Sequence, residues 1–261
     1  MNLMTEKYYI IRTGDFATDA NKKIIYILLS CLLCLHDSIV NKNMEYFAVM
    51  AGSSIIWTII ELFLNEQKIR IIKPMKITWN KQTTILNKYV GISLQGMQEG
   101  GVVTIIGLYF GDRFYSIFYQ CFYHLLIFYM VVNIIKKKSN TKTLSKRQIN
   151  TPASLCLMSS ATFFNVWVIV NNPSHFYREL NMFLSMVYIS GIWTIVSYYK
   201  EFRKVEVCLY NNDKYIKQDN LMDAFLILGY DVVFEIGIAY ITFYNMFIIP
   251  YNNYIETKLL M

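Results

Sequence analysis

Tyr89–Phe110 reads YVGISLQGMQEGGVVTIIGLYF, and its interpretation decides the fold. A membrane-spanning helix takes ~20 mostly apolar residues, which this stretch supplies, yet Gln95, Gln98 and Glu99 sit near its middle. Polar and charged groups at that depth are costly and face other helices or water. Gln95, Gln98, Glu99 and Val102 follow i, i+3, i+4, i+7 spacing, so the three polar groups share one helical face. Gly96 and Gly100 form one GxxxG, Gly107 and Gly111 another. Small residues let helix backbones approach closely in lipid. The stretch therefore reads as a central helix around which other spans pack.

Six more segments of spanning length flank it, at 24–40, 46–64, 114–135, 152–170, 180–199 and 221–249. The first is the shortest and carries His36 and Asp37 near its end; the last is long enough to tilt or to project beyond the bilayer. The expected fold is all-α, a polytopic transmembrane bundle of seven spans. Residues 1–23 form a leading segment, 24–249 a single bundle and 250–261 a tail. Composition agrees: only 16% of the 261 residues are charged, where a soluble domain has about 25%.

Lys and Arg fall into alternate connections. Four lie in the leading segment, six between the second and third spans, six between the fourth and fifth, and five between the sixth and seventh. The other connections and the tail hold one each: Lys42, Arg113, Arg178 and Lys258. Basic loops stay in the cytoplasm, so the N-terminus is expected there and the C-terminus on the opposite side. Adding or removing one span would destroy the alternation. A net charge of +7 on a soluble domain would suggest nucleic acid. Here the charges separate apolar segments, so the expected partner is the lipid bilayer and no nucleic acid.

The connections read as simple. Residues 136–150 form a basic linker, and 69–88, around Pro74 and Trp79, are expected to lie along the interface. Cys31, Cys34, Cys121, Cys156 and Cys208 form no disulfide framework, and the CxxC of Cys31 and Cys34, in a run of Leu, reads as a pair of packing residues.

On the last segment Asp231 and Glu235 are four residues apart and share a face. The second carries Ser54, Thr58 and Glu61 on one face, and the fourth has His124 near its midpoint. The candidate polar-cavity residues are thus Glu61, Gln95, Gln98, Glu99, His124, Asp231 and Glu235. Asn165 and Asn181 are weaker, His36–Asp37 reads as interfacial, and His175 as a turn residue. No Lys or Arg lies deep in any span, so the acids are expected without a fixed cation. They must then stay protonated, bind a cation, or line water. Carboxylates with one His can also ligate a divalent metal, and the spacing does not choose between metal and proton. No HExxH, GxSxG or P-loop is present, and no cofactor is indicated. The leading expectation is transport of a small solute, proton or cation. The alternatives are an intramembrane lipid-modifying or hydrolytic enzyme and a structural or assembly component of a viral or organellar membrane.

Overall fold

The computed structural model describes residues 6–13, 18–67, 74–136, 143–209, 215–217 and 221–259. Helices dominate: α1 (Ala20–Asn41) and α2 (Glu45–Glu66), then α3 (Lys88–Gly96) and α4 (Val103–Asp112). These are followed by α5 (Ile117–Ile135), α6 (Pro152–Asn171) and α7 (Phe176–Tyr199), then α8 (Leu221–Tyr230) and α9 (Ala239–Leu259). A π-helical stretch, Met97–Val102, joins α3 to α4 into one rod; a second, Asp231–Ile238, joins α8 to α9. Asp19 caps α1 by accepting from the Lys22 N–H, Asn87 caps α3, and Thr151 caps α6 just before Pro152.

Six helices are long and apolar enough to cross a membrane: α1, α2, α5, α6, α7 and the α8–α9 rod. Their apolar surface points outward. On α1, Ile25, Leu28, Leu32, Leu35 and Ile39 form an exposed stripe, and on α6 Phe163, Val166, Trp167 and Val170 do the same. Apolar surface on this scale suits lipid rather than water. The chain is an integral membrane protein by this criterion. The α3–α4 rod, polar at its middle, falls outside those six. The interior belongs to it and to the last span, 56% buried against 11% for α6.

Close approach between helices is set by glycine. A Cβ on Gly96 would overlap Thr58 of α2, and one on Gly100 would overlap the Ser53 carbonyl. Gly107 and Gly111 meet Met186 and Met182 of α7 in the same way. The GxxxG pairs thus seat the α3–α4 rod against two different neighbours.

The connections are not simple linkers. β1 (Glu6–Thr13), β4 (Thr143–Gln148), β5 (Arg203–Leu209) and β6 (Tyr215–Lys217) form one antiparallel sheet in the order β4-β1-β5-β6. The bundle is all-α as expected, but strands from the leading segment and two basic connections cover one end of it. A third basic connection forms the hairpin β2 (Lys76–Trp79) and β3 (Gln82–Ile85). Its turn residues Asn80 and Lys81 both have positive φ, the geometry of a type I′ turn. Hydrogen bonds between Asn21 and the Thr78 backbone fix this hairpin to the start of α1. The leading segment holds a strand, and α9 runs through Pro250 to Leu259. Lys68, Arg70, Lys73, Lys137, Lys138, Lys142 and Lys214 of the charge alternation lie outside the described residues, as do residues 260–261.

Candidate functional site

Strand periodicity places the site. Successive residues of a strand point to opposite faces, so Tyr8, Ile10 and Arg12 of β1 share one face. Opposite them in register stand Val207, Val205 and Arg203 of β5, and Arg147 of β4 is paired with Ile10. The apolar members of this face pack with Ile149 on Ala224, Ile227 and Leu228 of α8. The same face therefore turns three guanidinium groups toward the helices.

Each guanidinium finds an acid. Arg12 Nη1 donates to Glu99 Oε1 at 3.1 Å. Arg203 Nη1 donates to Asp231 Oδ2 at 2.8 Å and to Thr194 Oγ1 at 2.7 Å, with both charged side chains almost fully buried. Arg147 pairs with Glu235 and lies 4.0 Å from Asp231. Burial pushes the Arg203 guanidinium down to about 10, with Asp231 acting against that shift. It stays charged at neutral pH.

Glu99 also accepts from Trp57 Nε1 at 3.2 Å and from the Gln95 amide. The buried Lys23 ammonium donates to Gln95 and Gln98, each at 2.6 Å. This corrects the expectation of acids without a fixed cation. The cations arrive from β1, β4, β5 and the first turn of α1, segments that charge counting treats as loops. All three acids lie in π-helical stretches, which are rare and recur at functional sites.

The remaining candidates separate. Glu61 is fully buried on α2, one helical turn beyond Trp57 on the same face. His124 is exposed on α5, with Nδ1 on the Gln120 carbonyl at 2.7 Å and Nε2 3.3 Å from the Tyr188 hydroxyl. It does not join the acids: its ring sits against Tyr188 of α7. Among the described residues no three His, Cys, Asp or Glu side chains are placed to share a metal ion. A cleft of about 130 Å³ between α7 and α8 is lined by apolar residues such as Val187, Leu228 and Val232 and by Gly191 and Gly229. It is not an acidic cavity.

A second charged cluster, at the other end of the bundle, has no counterpart in the sequence reading. Arg178 of α7 grips Asp112 through Nε and Nη2 at 2.7 and 2.6 Å, meets Glu45 at 2.6 Å and donates to the Tyr244 hydroxyl at 3.1 Å. Arg113 meets Asp37 at 2.6 Å and lies 3.9 Å over the Tyr109 ring. Burial works against the charge on Arg113, but Asp37, Tyr46 and Tyr109 together outweigh it and hold the guanidinium above its ordinary range. Asp37 is 1% exposed, so it belongs to this ion pair rather than to the interface. His36 Nδ1 lies 3.1 Å from the Tyr109 hydroxyl. The only signal in the sequence was that Arg113 and Arg178 each sit beside a helix end with an acid near another end.

No known protein family, curated protein or solved structure matches this chain.

Proposed function

We propose that the chain crosses the membrane seven times with its N-terminus in the cytoplasm, and that it moves a small cation or proton across it. The observation that carries the reading is the origin of the counter-charges. Glu99, Asp231 and Glu235 belong to the bundle, whereas Arg12, Arg147 and Arg203 belong to the sheet that covers it. A buried ion pair is a poor way to gain stability, since apolar residues of equal volume do as well or better. Pairs that join two separate layers can exchange a guanidinium for a transported cation when the layers part. The gathering of β1, β4 and β5 with the β2–β3 hairpin at one end supports the odd number of crossings, because each lies an even number of spans from the next.

A second reading, a structural or assembly component, is favoured by the matching of these acids with arginines, which leaves no net charge to move. Proteoliposome flux distinguishes the two. Transport predicts that Glu99→Gln lowers proton or alkali-cation flux at least several-fold while folding is kept. Equal flux through Glu99→Gln and wild type, for every cation tried, would leave the structural role.

A further inference from the structure

The β2–β3 hairpin is a sheet of its own, and seven of its eight strand residues are exposed. Trp79, beside the turn, is 76% exposed and Ile85 65%. A lone two-stranded hairpin is marginally stable in water and needs a further layer to pack against. Its place on the bundle is nevertheless fixed. Besides the hydrogen bonds between Asn21 and Thr78, Asp19 bridges to Lys76, and the Leu86 N–H donates to the Met75 carbonyl. Met75 is 1% exposed and lies against Gly91 of α3. The hairpin is thus clamped between the first turns of α1 and α3.

That clamp sets its depth. Ile25, on the exposed apolar stripe of α1, lies four residues beyond Asn21, about 6 Å of helix rise. The headgroup layer on each side of the hydrocarbon is about 5–8 Å thick, so the hairpin stands at headgroup level. Indole rings concentrate at that level. Charge selects the headgroup. Residues 67–98 hold six Lys and Arg and no Asp or Glu, and basic segments beside a membrane are drawn to anionic lipids. Lys76, Lys81 and Lys88 are exposed, while Asp19, the acid beside Lys76, is 3.4 Å from Lys22. We propose that the β2–β3 hairpin is a docking surface for anionic phospholipid headgroups, with Trp79 seated among them and Lys76, Lys81 and Lys88 on their phosphates. This binding is independent of transport and of which way the chain crosses the bilayer.

The test places the purified full-length chain in nanodiscs of phosphatidylcholine, with and without phosphatidylserine. The emission of Trp79, taken as wild type minus Trp79→Phe, is quenched with acrylamide, which carries no charge. With phosphatidylserine present Trp79 should emit further to the blue and quench several-fold less than in phosphatidylcholine alone. In detergent, a short-chain phosphatidylserine should change the same signal saturably. Each of Lys76→Gln, Lys81→Gln and Lys88→Gln should weaken that affinity about five-fold. A Trp79 equally open to acrylamide in both discs would leave the hairpin to water or to a protein partner and overturn the proposal. Equal shielding in both discs, or affinities unchanged in the lysine variants, would overturn it too, since charge would then play no part. A response to inorganic phosphate alone would make this a free-anion site and overturn the lipid surface.

Discussion

Arg203 occupies a position where charge is retained at a cost. It is 3% exposed, and the hydroxyl of Thr194 and the carboxylate of Asp231 take its donors. Removing one partner of such a pair leaves the other buried and uncompensated, which costs about 3–5 kcal/mol. Arg203→Ala should therefore destabilise the protein strongly in reversible denaturation in detergent. The double variant Arg203→Ala/Asp231→Ala should cost clearly less than the two single changes added together. Additive costs would mean that the pair contributes nothing as a pair. The acids of this site were legible in the sequence because a carboxylate inside an apolar run violates the hydropathy pattern. Their partners were not, because Arg12 and Glu99 are 87 residues apart and only the pairing of strands brings them together.

The elements divide in the same way. Long apolar helices are announced by composition alone, and each predicted span falls on a helix or a helical rod whose ends differ by a few residues, except that the last rod runs ten residues further, to Leu259. The strands also left a trace, since Arg203, Val205 and Val207 alternate with Lys204, Glu206 and Cys208. Their basic residues counted first as topology signals, which hid that period of two. The π-helical stretches left no trace, and they alter which side chains share a face. Glycine supplies a direct contrast between two positions. A methyl group at Gly100 runs into the backbone of Ser53, whereas one at Gly191 meets nothing within 4 Å. Gly100→Ala should destabilise the protein by about 1–3 kcal/mol, the usual cost of overpacking. Gly191→Ala should be neutral or stabilise it by up to about 1 kcal/mol through helix propensity. Similar unfolding midpoints for the two variants would show that the contact of α2 with the π-helical stretch Met97–Val102 is looser than described.

At the scale of the molecule, two ion-pair layers bracket an apolar bundle. One layer is built by helix ends, through Arg113 and Arg178; the other is delivered by a sheet whose strands come from three places in the chain. Strands can pair only if they emerge on the same side, so the sheet puts the leading segment and the connections that carry β4 and β5 at one end of the bundle. The most direct measurement uses the register of β1 and β5. Lys7 stands opposite Cys208, and Cα atoms of opposed residues in an antiparallel pair lie about 4.5–5.5 Å apart, within the reach of a disulfide. Lys7→Cys, oxidised in native membranes and digested, should yield a peptide linked to Cys208, detected by mass spectrometry. If the introduced thiol instead stays free, or links only to another cysteine, the leading segment does not pair with the connection before the last span, and the sheet-borne counter-charges are lost with it.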